Sequence, residues 1–332
     1  MTEALFLESD EVSDLVEPRD YVDAVWDAYR QRGEGAPAEP RTALTSADPP
    51  GMLTTYSAVL PETGAMGGYM YSAGFEARDA WFVTPLFDAA TGELLAIVDG
   101  VSMNPFKTGA AGAVAVDALA REDASTLGII GSGAQARGQL RTTATVRDFE
   151  EVRVYSPTTA HRTAFADEME AAIDAAVTPV SESTDAVAGA DVVITATNAE
   201  EPVFDGEDLD PGTHVTAMGQ YDPSKFELDP TTIERSTYVP DLRARTQQDA
   251  GSFMNAVEAG VVDEDHVHAE LGDVVAGRAP GRTDPEEITV FDSGGTGIET
   301  TAAAHLLYEA AVAEERGTPL PFDPASEALT GN

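Results

Sequence analysis

Cysteine is absent from the 332 residues, which excludes disulfides, thiolate catalysis and the usual cysteine-rich zinc sites. The five histidines are scattered without metal-ligand spacing, His266 and His268 lying only two apart, so no metal is expected. No apolar run reaches the roughly 18 residues of a membrane span. The first eight residues carry acids and no basic segment, which argues against a secretory signal. Positive charge is scarce: 19 basic residues stand against 59 acidic ones, a net charge of −40. A nucleic-acid partner needs a basic surface and an anionic membrane repels an acidic one, so neither is expected. Lysine is scarcest of all, Lys107 and Lys225 being the only two beside 17 arginines.

The acids are spread along the whole chain and interleaved with apolar periodicity, which points to a folded protein with an acidic surface rather than a disordered tail. Such a surface suits molar salt, where charges are screened over about 3 Å. The expectation is the high-salt cytoplasm of a halophile.

The most informative stretch runs from Thr126 to Ala136, TLGIIGSGAQA. An apolar strand leads into Gly-x-Gly-x-x-Ala, and a helical pattern follows from Ala134 to about Asp148. Gly131 permits the tight turn out of the strand, and Gly133 lets the backbone approach a pyrophosphate. Ala136 lets the helix pack close to the sheet with its N-terminal N–H groups toward the anion. This spacing predicts dinucleotide binding.

Before the motif, helices are predicted between Ser9 and Arg32, with Pro18 opening the second. Short strands follow at 52–60, 65–73, 80–88 and 94–98, with a hairpin turn at 88–93, and then an Ala/Gly-rich helix from Thr108 to Leu119. The middle alternates strands at 127–131, 152–156, 176–180, 191–196, 213–218 and 237–240 with helices, the rhythm of a doubly wound parallel sheet. A helix from about Ile298 to Arg316 closes the fold, and the acidic end from Thr318 reads as a poorly ordered tail.

That order, with GIIGSGAQA at 128–136, resembles the ornithine cyclodeaminase/μ-crystallin family. Further matching segments are LFDAATGELLA at 86–96, TGAAG at 108–112, ELDP at 227–230, LGDVVAG at 271–277 and ITVFDSGG at 288–295. The resemblance implies an α/β fold: a Rossmann nucleotide-binding domain (119–298) plus a strand-rich α+β N-terminal domain for dimerisation and substrate binding (1–118), completed by the C-terminal helix (299–332). It also implies a homodimer joined through the N-terminal domains, and an active site in the cleft between domains. Family chemistry passes hydride between nicotinamide and the α-carbon of an amino acid or cyclic imine.

Arg41 matches the family arginine that binds the substrate carboxylate. Elsewhere the chain departs from the pattern. The family lysine falls on Tyr69, a second carboxylate-binding arginine on Lys107, and the family aspartate on Tyr221, with Asp222 one position later. Ornithine cyclodeamination depends on that lysine and aspartate, whereas imine reduction needs a carboxylate clamp, a hydride donor and a proton source. The expected activity is therefore an NAD(P)H-dependent imine reductase or amino-acid dehydrogenase. Ornithine cyclodeaminase and a non-catalytic, μ-crystallin-like NADP-dependent ligand binder are the alternatives. Tyr69, Tyr221 and Asp222 are the candidate proton-handling residues, Asp222 preferred for holding an amine, with a packed core aromatic as the other reading of Tyr69. Arg41, Lys107 and Tyr69 are the candidate substrate contacts, and an ordinary surface lysine is the other reading of Lys107.

Cofactor contacts are expected from Thr108, from Gly131, Ser132, Gly133, Ala134 and Gln135, and from the later strand ends at Thr195, Ala196, Thr197, Met218, Gly219, Ser293 and Gly294. After the strand at 152–156 no acid is placed to bind a ribose 2′-hydroxyl. Ser156, Thr158 and Arg162 suit a 2′-phosphate, so NADP(H) is favoured and NAD(H) is possible.

Overall fold

A computed structural model describes residues 2–77, 79–219 and 222–326. The chain divides into two compact units, one of residues up to Asn104 together with those from Thr296 onward, the other Pro105–Gly295.

The first unit opens with β1 (Thr2–Leu7), α1 (Ser9–Val12) and α2 (Pro18–Gly33). Pro18 sits in the first turn of α2, where a missing N–H costs nothing, and Tyr21, Val22, Val25, Ala28 and Tyr29 form its buried stripe. Then come β2 (Thr42–Ala47), β3 (Pro50–Leu60), β4 (Ala65–Gly74), β5 (Asp79–Asp88) and β6 (Leu94–Asp99). Between β5 and β6, Asp88 accepts the N–H groups of Ala90 and Thr91, which forms the expected hairpin turn.

The second unit begins with α3 (Asn104–Leu119), so the boundary expected at 118/119 falls at the far end of a helix that groups with this unit. It continues through β7 (Thr126–Ile130), α4 (Ala134–Thr143), β8 (Glu151–Tyr155), α5 (Thr159–Glu170), β9 (Ala176–Pro179), α6 (Ser183–Val187), β10 (Val192–Thr195) and β11 (His214–Ala217). After α7 (Pro230–Glu234), β12 (Ser236–Pro240), α8 (Gly251–Glu258) and α9 (Leu271–Val275), β13 (Ile288–Asp292) completes a seven-stranded sheet. The chain then returns to the first unit as α10 (Gly297–Ala313) and β14 (Thr318–Phe322).

The second unit's sheet runs β12-β13-β11-β10-β7-β8-β9 with every pairing parallel. Both faces are covered. Leu127, Ile129, Val192 and Ile194 join one apolar cluster, while Ile130, Val193, Val215 and Val290 join another. A strand buried on both faces has to be apolar at successive positions, which is why β10 reads Val-Val-Ile-Thr. Helix α4 ends at Thr143, several residues before the predicted Asp148.

The first unit's sheet runs β14-β1-β6-β5-β4-β3-β2, antiparallel except for the β1–β6 pair. Helix α10 packs with α2 and across β3 and β4. Three strands of this sheet, β1, β2 and β14, were not among those expected. The end predicted as a loose tail pairs antiparallel with β1, Thr318 opposite Phe6 and Phe322 opposite Thr2. Pro319 and Pro321 cannot donate to a ladder, and an edge strand is where a sheet tolerates them. The opposite face of this sheet exposes Leu44, Leu53, Met70, Trp81 and Val83. Beside them lies an apolar depression of about 510 Å³ lined by Val59, Met66, Gly68, Met70, Pro85 and Phe87.

Among the described residues, no helix is long and apolar enough to cross a membrane, and no group of three or more His, Asp or Glu could hold a metal.

Candidate active site

The parallel register sets the carboxyl ends of the second unit's strands level. Ile130 lies beside Tyr155 on one side and Thr195 on the other, Thr195 beside Ala217, and Ala217 beside Asp292. From β7 the chain builds outward through β8 and β9, then returns to place β10 on the other flank. The topological switch point is therefore at the ends of β7 and β10, where ligands bind in such sheets.

The glycine motif leaves β7 there. Gly131 has φ +124°, and a Cβ on it would lie 2.3 Å from the carbonyl oxygen of Ala196. Fold geometry alone demands this glycine. Gly133 differs: its φ of −84° and ψ of −172° suit any residue, and a Cβ would meet no atom of the described residues within 4 Å beyond its chain neighbours. No packing requires a glycine at 133, so the open space fits a group that must come close to the backbone. Gly133 is also the N-cap of α4, and no side chain caps that end. Ala136 is fully buried, as close helix–sheet packing requires. Residues here fit a dinucleotide pyrophosphate.

Around this edge the candidates fall into groups. Thr108 donates to the side-chain oxygen of Gln135, and Gln139 donates to the carbonyl of Thr108 at 2.9 Å, fixing α3 to α4. At the end of β8, Arg162 Nη1 donates to the Ser156 carbonyl at 2.8 Å, Ser156 is buried, and Thr158 is exposed at the N-cap of α5.

Thr195, Thr197 and Gly219 are held by Glu227, which the sequence reading named only within a matching segment. Thr195 Oγ1 and the Gly219 N–H donate to Glu227 Oε2, both at 2.8 Å. The N–H and Oγ1 of Thr197 donate to Oε1 at 2.6 and 2.7 Å. Burial raises the pKa of this carboxyl, and the four donors pull the other way.

At the end of β13, Asp241 accepts the N–H groups of Gly294 and Gly295 and is itself bound by Arg245. Ser293 is buried, and its hydroxyl has no hydrogen-bond partner among the described residues. Apart from the matching segment ELDP at 227–230, nothing local marked Glu227, Asp241 or Arg245 in a chain with 59 acidic residues.

Asp222 Oδ1 accepts from Ser224 Oγ at 2.6 Å and from the Ser224 N–H at 2.9 Å, and the hydroxyl bond holds its carboxyl below the usual range. An acid so held stays ionised near neutrality: it can hold a cation and is a poor proton donor. Tyr221 lies outside the described residues. Lys107, on α3, is 1% exposed, which removes the surface reading. Lys225 is half-buried beside the Asp222 loop, its N–H bonded to the Asp222 carbonyl at 3.0 Å.

In the first unit Arg41 is buried, 5.7 Å over the ring of Tyr56 and 3.5 Å from the Tyr71 hydroxyl. Tyr69 is packed between aromatic rings, stacked on Phe82 at 5.2 Å and 5.6 Å from Tyr56. Its hydroxyl donates to the Gly100 carbonyl at 3.2 Å, and burial pushes its pKa further above the ordinary tyrosine value. This surrounding matches the packed-aromatic reading of Tyr69.

Residues 2–315 match the model of the ornithine cyclodeaminase/mu-crystallin family. The chain belongs to this family. It is 36% identical over 236 residues to a Delta(1)-pyrroline-2-carboxylate reductase of Bacillus cereus, covering 71% of this chain and 72% of the relative. Among solved structures, the Thermococcus litoralis Delta(1)-pyrroline-2-carboxylate reductase in complex with NADH and L-proline superposes with a TM-score of 0.90 at 32% identity, covering 95% of this chain and all of the other. An archaeal alanine dehydrogenase dimer with bound NAD gives 0.89 at 31% identity over 97% of this chain and all of the other.

Proposed function

We propose that this protein is an NAD(P)H-dependent oxidoreductase acting on the C=N or CH–NH group of a small imino or amino acid. The observation that carries the reading is the level strand edge with an open, unpacked glycine at 133, in a chain of this family. A bound nicotinamide supplies or accepts the hydride. Arg41 supplies a guanidinium fork for a carboxylate, its Cζ lying 5.7 Å from the centre of the Tyr56 ring. Lys107 is assigned a point-charge carboxylate contact in place of an arginine. Asp222, kept ionised by Ser224, is assigned to hold a cationic imine or ammonium; a protonated imine needs only the hydride to become an amine. The test follows nicotinamide absorbance at molar salt against cyclic imino acids, and against 2-oxo acids with ammonia. Turnover is expected on at least one member, and none on any overturns the reading.

For the cofactor, the end of β8 supports NADP(H) over NAD(H): Ser156, Pro157 and Thr158 offer no carboxylate to a ribose, and Arg162 lies beside them. A higher kcat/KM with NADPH, lost in Arg162→Ala, is expected; equal ratios before and after the substitution refute it. For assembly, the exposed apolar face of the β2–β5 strands supports a homodimer joined through the first unit. The acidic surface supports a high-salt cytoplasm.

A further inference from the structure

We infer that Glu227 is the positioning residue for the nicotinamide half of the cofactor site, acting through the backbone ends of β10 and β11. This rests on the dinucleotide reading above. Each carboxylate oxygen takes one backbone N–H and one hydroxyl: Oε1 from Thr197 twice, Oε2 from Gly219 and Thr195. The carboxylate thereby joins two strand ends about thirty residues upstream and eight upstream of itself. The space for it is made by Gly219, where a Cβ would lie 2.7 Å from Glu227 Cδ. Thr197 Oγ1 also accepts from the Ala199 N–H at 3.1 Å, so the clamp extends into the loop after β10.

Position on the edge separates this clamp from the pyrophosphate turn. Gly131 to Gln135 lead out of β7 into α4, whereas Glu227 acts at the ends of β10 and β11, on the far side of the switch point from β8. A dinucleotide laid across that point has its adenosine ribose toward β8 and its nicotinamide toward β10 and β11. Glu227 lies under the second half only.

Glutamine cannot replace it. The hydroxyls of Thr195 and Thr197 can rotate, but the N–H groups of Thr197 and Gly219 cannot. Either orientation of an amide therefore turns NH2 against a backbone donor. The strand ends must shift to relieve this.

The test compares the full-length protein with its Glu227→Gln variant at molar potassium chloride, titrating NADH, NADPH and ADP-ribose by calorimetry. ADP-ribose keeps the adenosine and pyrophosphate and lacks the nicotinamide. Glu227→Gln is expected to weaken the preferred reduced cofactor by about tenfold or more and ADP-ribose by less than about twofold. Equal weakening of both, or of neither, overturns the inference, because a merely structural role gives one of those results. If Glu227→Gln fails to fold, Thr195→Val removes one donor at nearly constant shape. It should weaken the cofactor by about threefold with ADP-ribose unchanged, and parallel changes again overturn the inference. Wild-type protein that binds none of the three ligands overturns the dinucleotide reading itself, and this inference with it.

Discussion

The guanidinium of Arg245 donates through Nε to Asp241 Oδ1 at 2.8 Å, with both side chains shut off from solvent. The same guanidinium meets Asp249 at 2.5 Å and also Asp292, whose other oxygen accepts from Tyr238 at 2.6 Å. One cation thus serves three buried carboxylates beside the loop of Ser293, Gly294 and Gly295. Burial pushes Asp292 up to about 6 even though Arg245 opposes the shift. Arg245→Met strands the carboxylates, at a cost of about 3–5 kcal/mol, typical of a broken buried pair. Thermal unfolding at molar salt should show it as a loss of roughly 2–4 °C per kcal/mol. Without Arg245 the Asp292 carboxyl is pushed up further, so the deficit should shrink as pH falls toward 6, where the wild-type carboxyl also takes its proton. An unchanged transition would show that the cluster contributes nothing to stability.

His214 sets a pH dependence of opposite sign. It is fully buried between the hydroxyls of Thr289 and Thr216, and burial pushes its pKa down to about 3. Below about 6.5 the unfolded chain binds a proton there that the folded chain refuses, so acid favours unfolding by about 1.4 kcal/mol per pH unit until the folded group titrates. Relative to wild type, His214→Gln should flatten the fall of stability with acid between pH 6 and 4. Parallel curves in denaturant titrations would contradict this.

The two motif glycines should separate cleanly. Gly131→Ala puts a methyl against the Ala196 carbonyl at a positive φ, and a loss of more than about 2 kcal/mol is expected. The Cβ of Gly133→Val meets no described atom within 4 Å, so this variant should cost less stability than Gly131→Ala while cofactor affinity falls at least about tenfold. If Gly133→Val binds cofactor normally, the open space is not a phosphate site.

The exposed sheet face makes a third kind of test. Met70 and Trp81 are 48% and 57% exposed on the same side of neighbouring strands. Trp81→Glu combined with Met70→Glu should give a folded monomer by light scattering at molar potassium chloride. Wild type should be a dimer there and should dissociate as salt is withdrawn and subunits of net charge −40 lose their screening. Persistence of the dimer in the double variant would place the interface elsewhere.

Local sequence determined what depends on short-range constraint. The strand–turn–helix at 126–143 was legible because glycine spacing, apolar continuity and helical periodicity all fall within one short window. The alternating strands and helices of the second unit were legible for the same reason, as was the Asp88 hairpin turn. Tertiary structure decided what depends on partners distant in the chain. Thr318–Phe322, with two prolines, has no strand signal, and becomes one because β1 offers an edge more than 300 residues away in sequence. Glu227 looked like one acid among 59, yet β10 and β11 bring four donors to it. Lys107 could have been a surface lysine until the fold buried it. Composition tells how many charges a chain carries; only packing decides which of them leave water, because the desolvation each must offset is set by neighbours the local sequence does not contain.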